Sequence, residues 1–189
     1  AQGLPFPQRQ AAQAELSALS RALSLPCPLL KAAIADRCSA ALQAPIAALP
    51  EWGTGNLPDY SELQSFYREN GCGIFARARA FHWAGGTLLP IARPDPLRFS
   101  DMFGYQWQRQ EVYQNTLALV KGQRVNNVLL FGDAGTGKSA VVKSMLNVPD
   151  FHRLRLVEVD KRYLQQLPEL IRLLGEKPLK FIVFIDDLS

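Results

Sequence analysis

Apolar positions recur at helical spacing through the first part of the chain. Ala12, Leu16, Leu19 and Leu23 make one stripe over residues 8–24, and Leu30, Ile34, Cys38 and Leu42 make a second over 29–43. Residues three and four apart share a helix face, so both segments read as amphipathic helices able to pair as a hairpin. Pro26 and Pro28 separate them, because proline lacks the N–H that a helix interior uses. The stretch from Pro45 to Pro58 reads as loop. Asp59 then caps a third helix, with Glu62 three positions on, and Gly71 ends it.

The pattern changes after Gly71. Ile74–Trp83 and Thr87–Ile91, separated by Ala84-Gly85-Gly86, read as a β-hairpin. Phe75, Arg77, Arg79, Phe81 and Trp83 alternate onto one face of it. Arginines interleaved with aromatics can stack bases or grip phosphates. The more ordinary outcome packs the rings inward and lays the arginine stems along them. Pro90, Pro94 and Pro96 mark a linker. Beyond Phe99, Arg109, Tyr113, Thr116, Leu117 and Val120 line one side of a helix that Lys121-Gly122 ends. Three apolar runs then alternate with helical segments. The strands are Val128–Phe131, Leu154–Val159 and Phe181–Ile185; the helices are Ala140–Leu146 and Lys161–Leu174, the latter kinked or split by Pro168. This alternation predicts an α/β fold with a parallel sheet in residues 99–189, after a mainly helical region with a hairpin and a Pro-rich linker in 1–98.

Composition narrows the function. Of 21 basic and 17 acidic residues, nine and seven precede position 99, leaving twelve and ten after it. Neither part is a basic domain, so charge makes no case for nucleic acid. Cys27, Cys38 and Cys72 are odd in number and form no Cys-x-x-Cys pair. They read as free thiols of a reducing compartment, not as a disulfide frame or zinc site. His82 and His152 are isolated. No apolar run approaches the roughly 20 residues of a membrane span, and no signal peptide opens the chain. These features predict a cytoplasmic protein without a membrane role.

The chemistry lies at Gly132-Asp133-Ala134-Gly135-Thr136-Gly137-Lys138-Ser139, followed by Ala140. Gly, four free positions, Gly, Lys and Ser form a complete phosphate-binding loop. The apolar run before it and the helical run after it supply the strand–loop–helix context that the pattern requires. Glycine removes side chains where backbone N–H groups turn toward phosphate, and the following helix offers its positive end. Lys138 places a cation between terminal phosphates, and Ser139 offers a hydroxyl to Mg²⁺. The run Phe181–Ile185 suits a strand buried on both faces, and Asp186-Asp187 follows at its carboxyl end, where parallel sheets bind ligands. Asp186 is the candidate Mg²⁺ partner. Asp187 is the candidate for orienting the attacking water. A GTPase is disfavoured, since that class expects Gly three residues after the acidic Asp and position 189 is Ser.

Five segments in order then carry a resemblance: Asp101-Met102-Phe103-Gly104-Tyr105, Asn126–Leu130, the loop, Val157-Glu158-Val159-Asp160-Lys161, and Phe184-Ile185-Asp186-Asp187-Leu188-Ser189. Together they resemble the bacterial AAA+-type ATP-binding proteins catalogued as a domain of unknown function. Phe66–Gly71 and Ala80–Trp83 are similar to that family's helical N-terminal region. The resemblance implies ATP and Mg²⁺ as ligands, adds Gly104 and Tyr105 to the nucleotide-binding positions, and implies homo-oligomers acting on a protein partner that it does not identify. It implies a strand order of 5-1-4-3-2, in which a fourth strand, a polar sensor, an arginine given to a neighbouring subunit and a helical lid are still to come. With Ala at position 1 and Ser189 directly after the acidic pair, the chain is expected to be a fragment. Most AAA+ proteins carry Asp-Glu where this chain has Asp186-Asp187, and aspartate reaches one methylene less far. Three readings stay open: an ATPase that rearranges a partner, an ATP-binding switch or scaffold that does not hydrolyse, and a P-loop phosphotransferase.

Overall fold

A computed structural model describes residues 5–51, 53 and 57–186. They form two compact units that divide between Ser65 and Phe66.

In the first unit, Pro7 opens helix α1 (Phe6–Leu23), and Pro28 lies in the first turn of α2 (Cys27–Ala35). Proline's fixed φ suits a first turn, where the missing N–H has no partner to lose. Pro26 and Pro28 therefore start α2 instead of holding it off to residue 29. The stripe expected over 29–43 divides, because a turn at residues 36–39 separates α2 from α3 (Ala40–Ala47). Pro45 lies inside α3, where loop was expected. The helix ends two residues later, so the lost hydrogen bond costs only its last turn. The close helix pair is α2 with α3. Lys31 Nζ closes it by donating to Ala47 O and Leu49 O at 3.2 and 2.5 Å. No residue of α1 is buried, and Leu19 and Leu23 of its stripe face solvent.

Helix α4 (Tyr60–Asn70) has the expected reciprocal cap. Asp59 Oδ1 accepts from Glu62 N at 2.9 Å, and Asp59 N donates to Glu62 Oε2 at 2.8 Å.

The second unit is built on a four-stranded sheet of order β2-β1-β3-β4. Strand β1 (Ala80–Ala84) pairs antiparallel with β2 (Thr87–Pro90). On its other side β1 runs parallel to β3 (Leu154–Val159), and β3 runs parallel to β4 (Lys180–Ile185). The β1–β2 turn is Gly85-Gly86, with φ of 55° and 78°. A two-residue turn of this hand requires positive φ at both positions, which glycine adopts freely. The first strand starts at Ala80 and not at Ile74, because residues 74–77 form a short helix, α5 (Ile74–Arg77). The hairpin thus shares a sheet with the strands of residues 154–185, across the Pro-rich linker.

Parallel register decides which side chain goes to which face. Phe81, Trp83, Val157 and Val159 pack on one face with Leu170 and Leu174 of α8 (Leu167–Gly175). Ala80, Leu154 and Leu156 pack on the other with Val112 of α6 (Gln106–Val120) and Val141, Val142 and Met145 at α7 (Lys138–Ser144). Pro168 sits in the first turn of α8, after a 3-10 stretch at Lys161–Gln166. The expected helix over 161–174 is therefore split there.

One buried charge closes the lower end of the sheet. Arg155 is 2% exposed and donates Nε to Phe75 O, Nη1 to His152 O and Leu154 O, and Nη2 to Asn70 O, at 2.8–3.0 Å. Burial, and then the neighbouring Arg79 charge, push its pKa down to about 10.

The expected strand Val128–Phe131 forms no ladder. Leu130 packs against the core, while Val128, Leu129 and Phe131 are 51%, 72% and 89% exposed. A strand exists only where a neighbour takes its hydrogen bonds, and this run has no such neighbour among the described residues.

Candidate functional site

The loop runs from Gly132 into α7. Gly137 is the N-cap of α7 at φ 83°, a left-handed conformation that costs glycine nothing. Lys138 opens the helix and folds back over the loop. Its Nζ donates to Gly132 O at 2.9 Å, Asp133 O at 2.7 Å and, at 3.5 Å, to Thr136 Oγ1. Thr136 Oγ1 in turn donates to Asp133 O at 2.9 Å. Asp133, Ala134 and Gly135 are exposed at the rim, and Thr136 to Ala140 are half-buried at the start of α7. The ammonium thus sits at the centre of the loop's own carbonyls.

Two predicted residues far apart in the chain meet here. Ser139 Oγ donates to Asp186 Oδ1 at 2.8 Å. Asp186 directly follows β4, at the carboxyl end of a parallel strand. A hydroxyl and a carboxylate at this separation are hard oxygen donors of the kind that hold Mg²⁺ together with water. Asp187 lies outside the described residues.

The segment before α6 reaches the loop from another side. Met102 packs on the same core face as α7, and its Cε lies 3.8 Å from where a Cβ on Gly137 would stand. Gly104 (φ 73°) and Tyr105 (φ 46°) follow, and Tyr105 is the one positive-φ residue other than glycine among the described residues. Such strain gathers at functional sites.

The arginine–aromatic stripe of 75–83 presents no joint face. Phe75, Phe81 and Trp83 are buried together, and Arg79 donates to Phe151 O at 2.8 Å. The sequence reading also missed two features. Glu158 points toward α7 and accepts an ion pair from Lys143 at 3.0 Å, with His82 Nδ1 at 3.6 Å. These three side chains, with Arg93 and Asp95, line a cavity of about 170 Å³. The signal was present: Glu158 is one of two charged residues, with Arg155, in the apolar strand β3. The second feature is Arg109, which reads in the sequence only as part of a helix stripe.

Residues 76–189 match the family described as Protein of unknown function (DUF815). The chain belongs to the DUF815 family. This DUF815 member is also 31% identical, over 116 residues, to the 26S proteasome regulatory subunit 6B homolog of Schizosaccharomyces pombe. That match covers 54% of the chain but spans only 30% of the yeast protein's length. No solved structure matches the DUF815 chain. Both likenesses point to an AAA+ P-loop NTPase-like family, and the mostly parallel four-stranded sheet of the DUF815 member is compatible with that fold.

Among the described residues of the DUF815 member, no single helix is long and apolar enough to cross a membrane.

Proposed function

We propose that this DUF815 member binds ATP with Mg²⁺ at Gly132–Ala140 and Asp186 and acts as an AAA+-type ATPase. The observation that carries the reading is the Ser139–Asp186 hydrogen bond, which joins the loop hydroxyl to an acidic strand end 47 positions away. A glycine-rich turn with an accidental lysine gives no reason for that meeting. In this reading Lys138 leaves the loop carbonyls for the terminal phosphates. Ser139 and Asp186 give oxygens to Mg²⁺, which supplies charge neutralisation when bound. Gly104 and Tyr105 flank the base, and Asp187 orients the attacking water. The AAA+ likeness extends the reading to subunit contacts and to rearrangement of a protein partner.

Calorimetry with Mg-ATP tests the binding step. Lys138→Ala removes a cation that no other side chain at the loop replaces, and should weaken ATP at least about tenfold, or about 1.4 kcal/mol. Equal affinity in the variant would overturn the assignment.

A second reading, a switch that binds ATP without turnover, is favoured by the short Asp187 in place of the longer acid. Asp187→Glu separates the two. Under the switch reading turnover stays near zero in both proteins, whereas an ATPase limited by reach gains rate.

A further inference from the structure

We infer that Arg109 is the positioning residue for the base side of the nucleotide site, a step that rests on the ATP-binding reading above. Four observations converge on it. Its guanidinium donates from Nη1 to Met102 O, and its own backbone N–H donates to Tyr105 O at 3.0 Å. The guanidinium therefore holds the start of the bend Met102-Phe103-Gly104-Tyr105, and the first backbone bond of α6 holds its end. The guanidinium lies over the Phe99 ring, 5.4 Å from its centroid. Phe99 stacks on Tyr113 at 5.5 Å, and Tyr113 on Phe151 at 5.4 Å, so the column ends on a fully buried ring of the core.

Within the bend, Gly104 and Tyr105 take two left-handed conformations in succession. A non-glycine residue holds such a conformation only when its surroundings impose it. The ring column and the guanidinium latch on Met102, with the start of α6 behind them, are that imposition. Their result is to set Met102 against Gly137, one residue before Lys138, and to leave Phe103, Tyr105 and Trp107 at 96%, 58% and 71% exposure. Phe103 and Tyr105 on the bend, with Trp107 in the first turn of α6, offer exposed rings to a planar base. Arg109 itself touches no ligand; it acts through the bend.

The inference separates base from phosphate. The test compares Mg-ATP with inorganic tripolyphosphate, by calorimetry, on the 189-residue chain. Arg109→Met keeps the helix and the backbone bond to Tyr105 and removes the latch on Met102 and the charge over Phe99. It should weaken ATP by about tenfold and leave tripolyphosphate within about twofold. Arg109→Lys still donates to Met102 O but cannot lie flat on the ring, and should recover part of the ATP affinity. Phe99→Leu keeps the latch and removes the ring, so it carries the same selective loss, smaller, if Arg109→Met does not fold. An equal loss for both ligands, or none, would overturn the inference and leave the phosphate-binding reading standing. Failure of the native chain to bind either ligand would overturn both.

Discussion

At the residue scale, conformation and chemistry pull against each other at Tyr105. Its φ of 46° carries strain that glycine would not, and its ring is more than half exposed, so the fold gains little from it. Tyr105→Gly should therefore raise the melting temperature by a few degrees, in line with about 1 kcal/mol of relieved strain. If the ring meets the base, the same variant should bind Mg-ATP more weakly. A melt that falls, or ATP affinity that holds, would remove Tyr105 from the site. Arg155 shows the opposite case, a charge whose work is structural. Four backbone carbonyls accept from it and replace its lost hydration. An arginine inside an apolar-patterned strand gave no sign in the sequence of the backbone carbonyls it would bind.

At the element scale, legibility followed how local the deciding force was. The α4 cap, the Gly85-Gly86 turn and the break at Pro168 each depend on two to four adjacent residues, and each formed where the pattern placed it. Val128–Phe131 has a stronger apolar pattern than β2, yet it forms no ladder, because pairing depends on a neighbour that the run itself does not specify. The start of α7 after Gly137 is local in the same way, whereas the meeting of Ser139 with Asp186 comes from tertiary structure. The 3-10 stretch after β3 gives a pH test. Asp160 accepts from Arg162 N at 2.9 Å and pairs with the Arg162 guanidinium. The Arg162 side chain, and then its backbone N–H, hold the Asp160 pKa down to about 2 from an ordinary 3.8. A depressed acid stabilises the fold above its unfolded pKa and loses that contribution as pH falls through the folded one. Stability should thus drop between pH 4 and 2, and Asp160→Asn should remove that part of the drop in a pH series of melts. A slope unchanged by the substitution would assign the acid sensitivity elsewhere.

At the scale of the whole molecule, the sheet has an unusual edge. Among the described residues β4 pairs only with β3, and its free side belongs to Phe181-Ile182-Val183-Phe184-Ile185, a run without charge, proline or bulge. Soluble proteins blunt such edges, because unpaired N–H and C=O groups beside apolar side chains recruit other strands. Beside it in kind is Val128–Phe131, largely exposed and in no ladder among the described residues. Both belong to the part of the chain that matches the DUF815 family, and both adjoin the candidate site: one leads into the Gly132–Ser139 loop and the other ends on Asp186. The two apolar runs are expected to be covered by strands of a second copy, so that the 189-residue chain self-associates. Sedimentation velocity over about a hundredfold range of concentration should show mass rising with concentration. Leu129→Lys with Phe131→Lys places charge where the folded chain loses almost no packing, since both side chains already face solvent. The double variant should stay monomeric at concentrations where the native chain assembles, with an unchanged melt at high dilution. A native chain that remains a monomer throughout would show that the open edge is tolerated, and the site would then have to work without a strand beside β4.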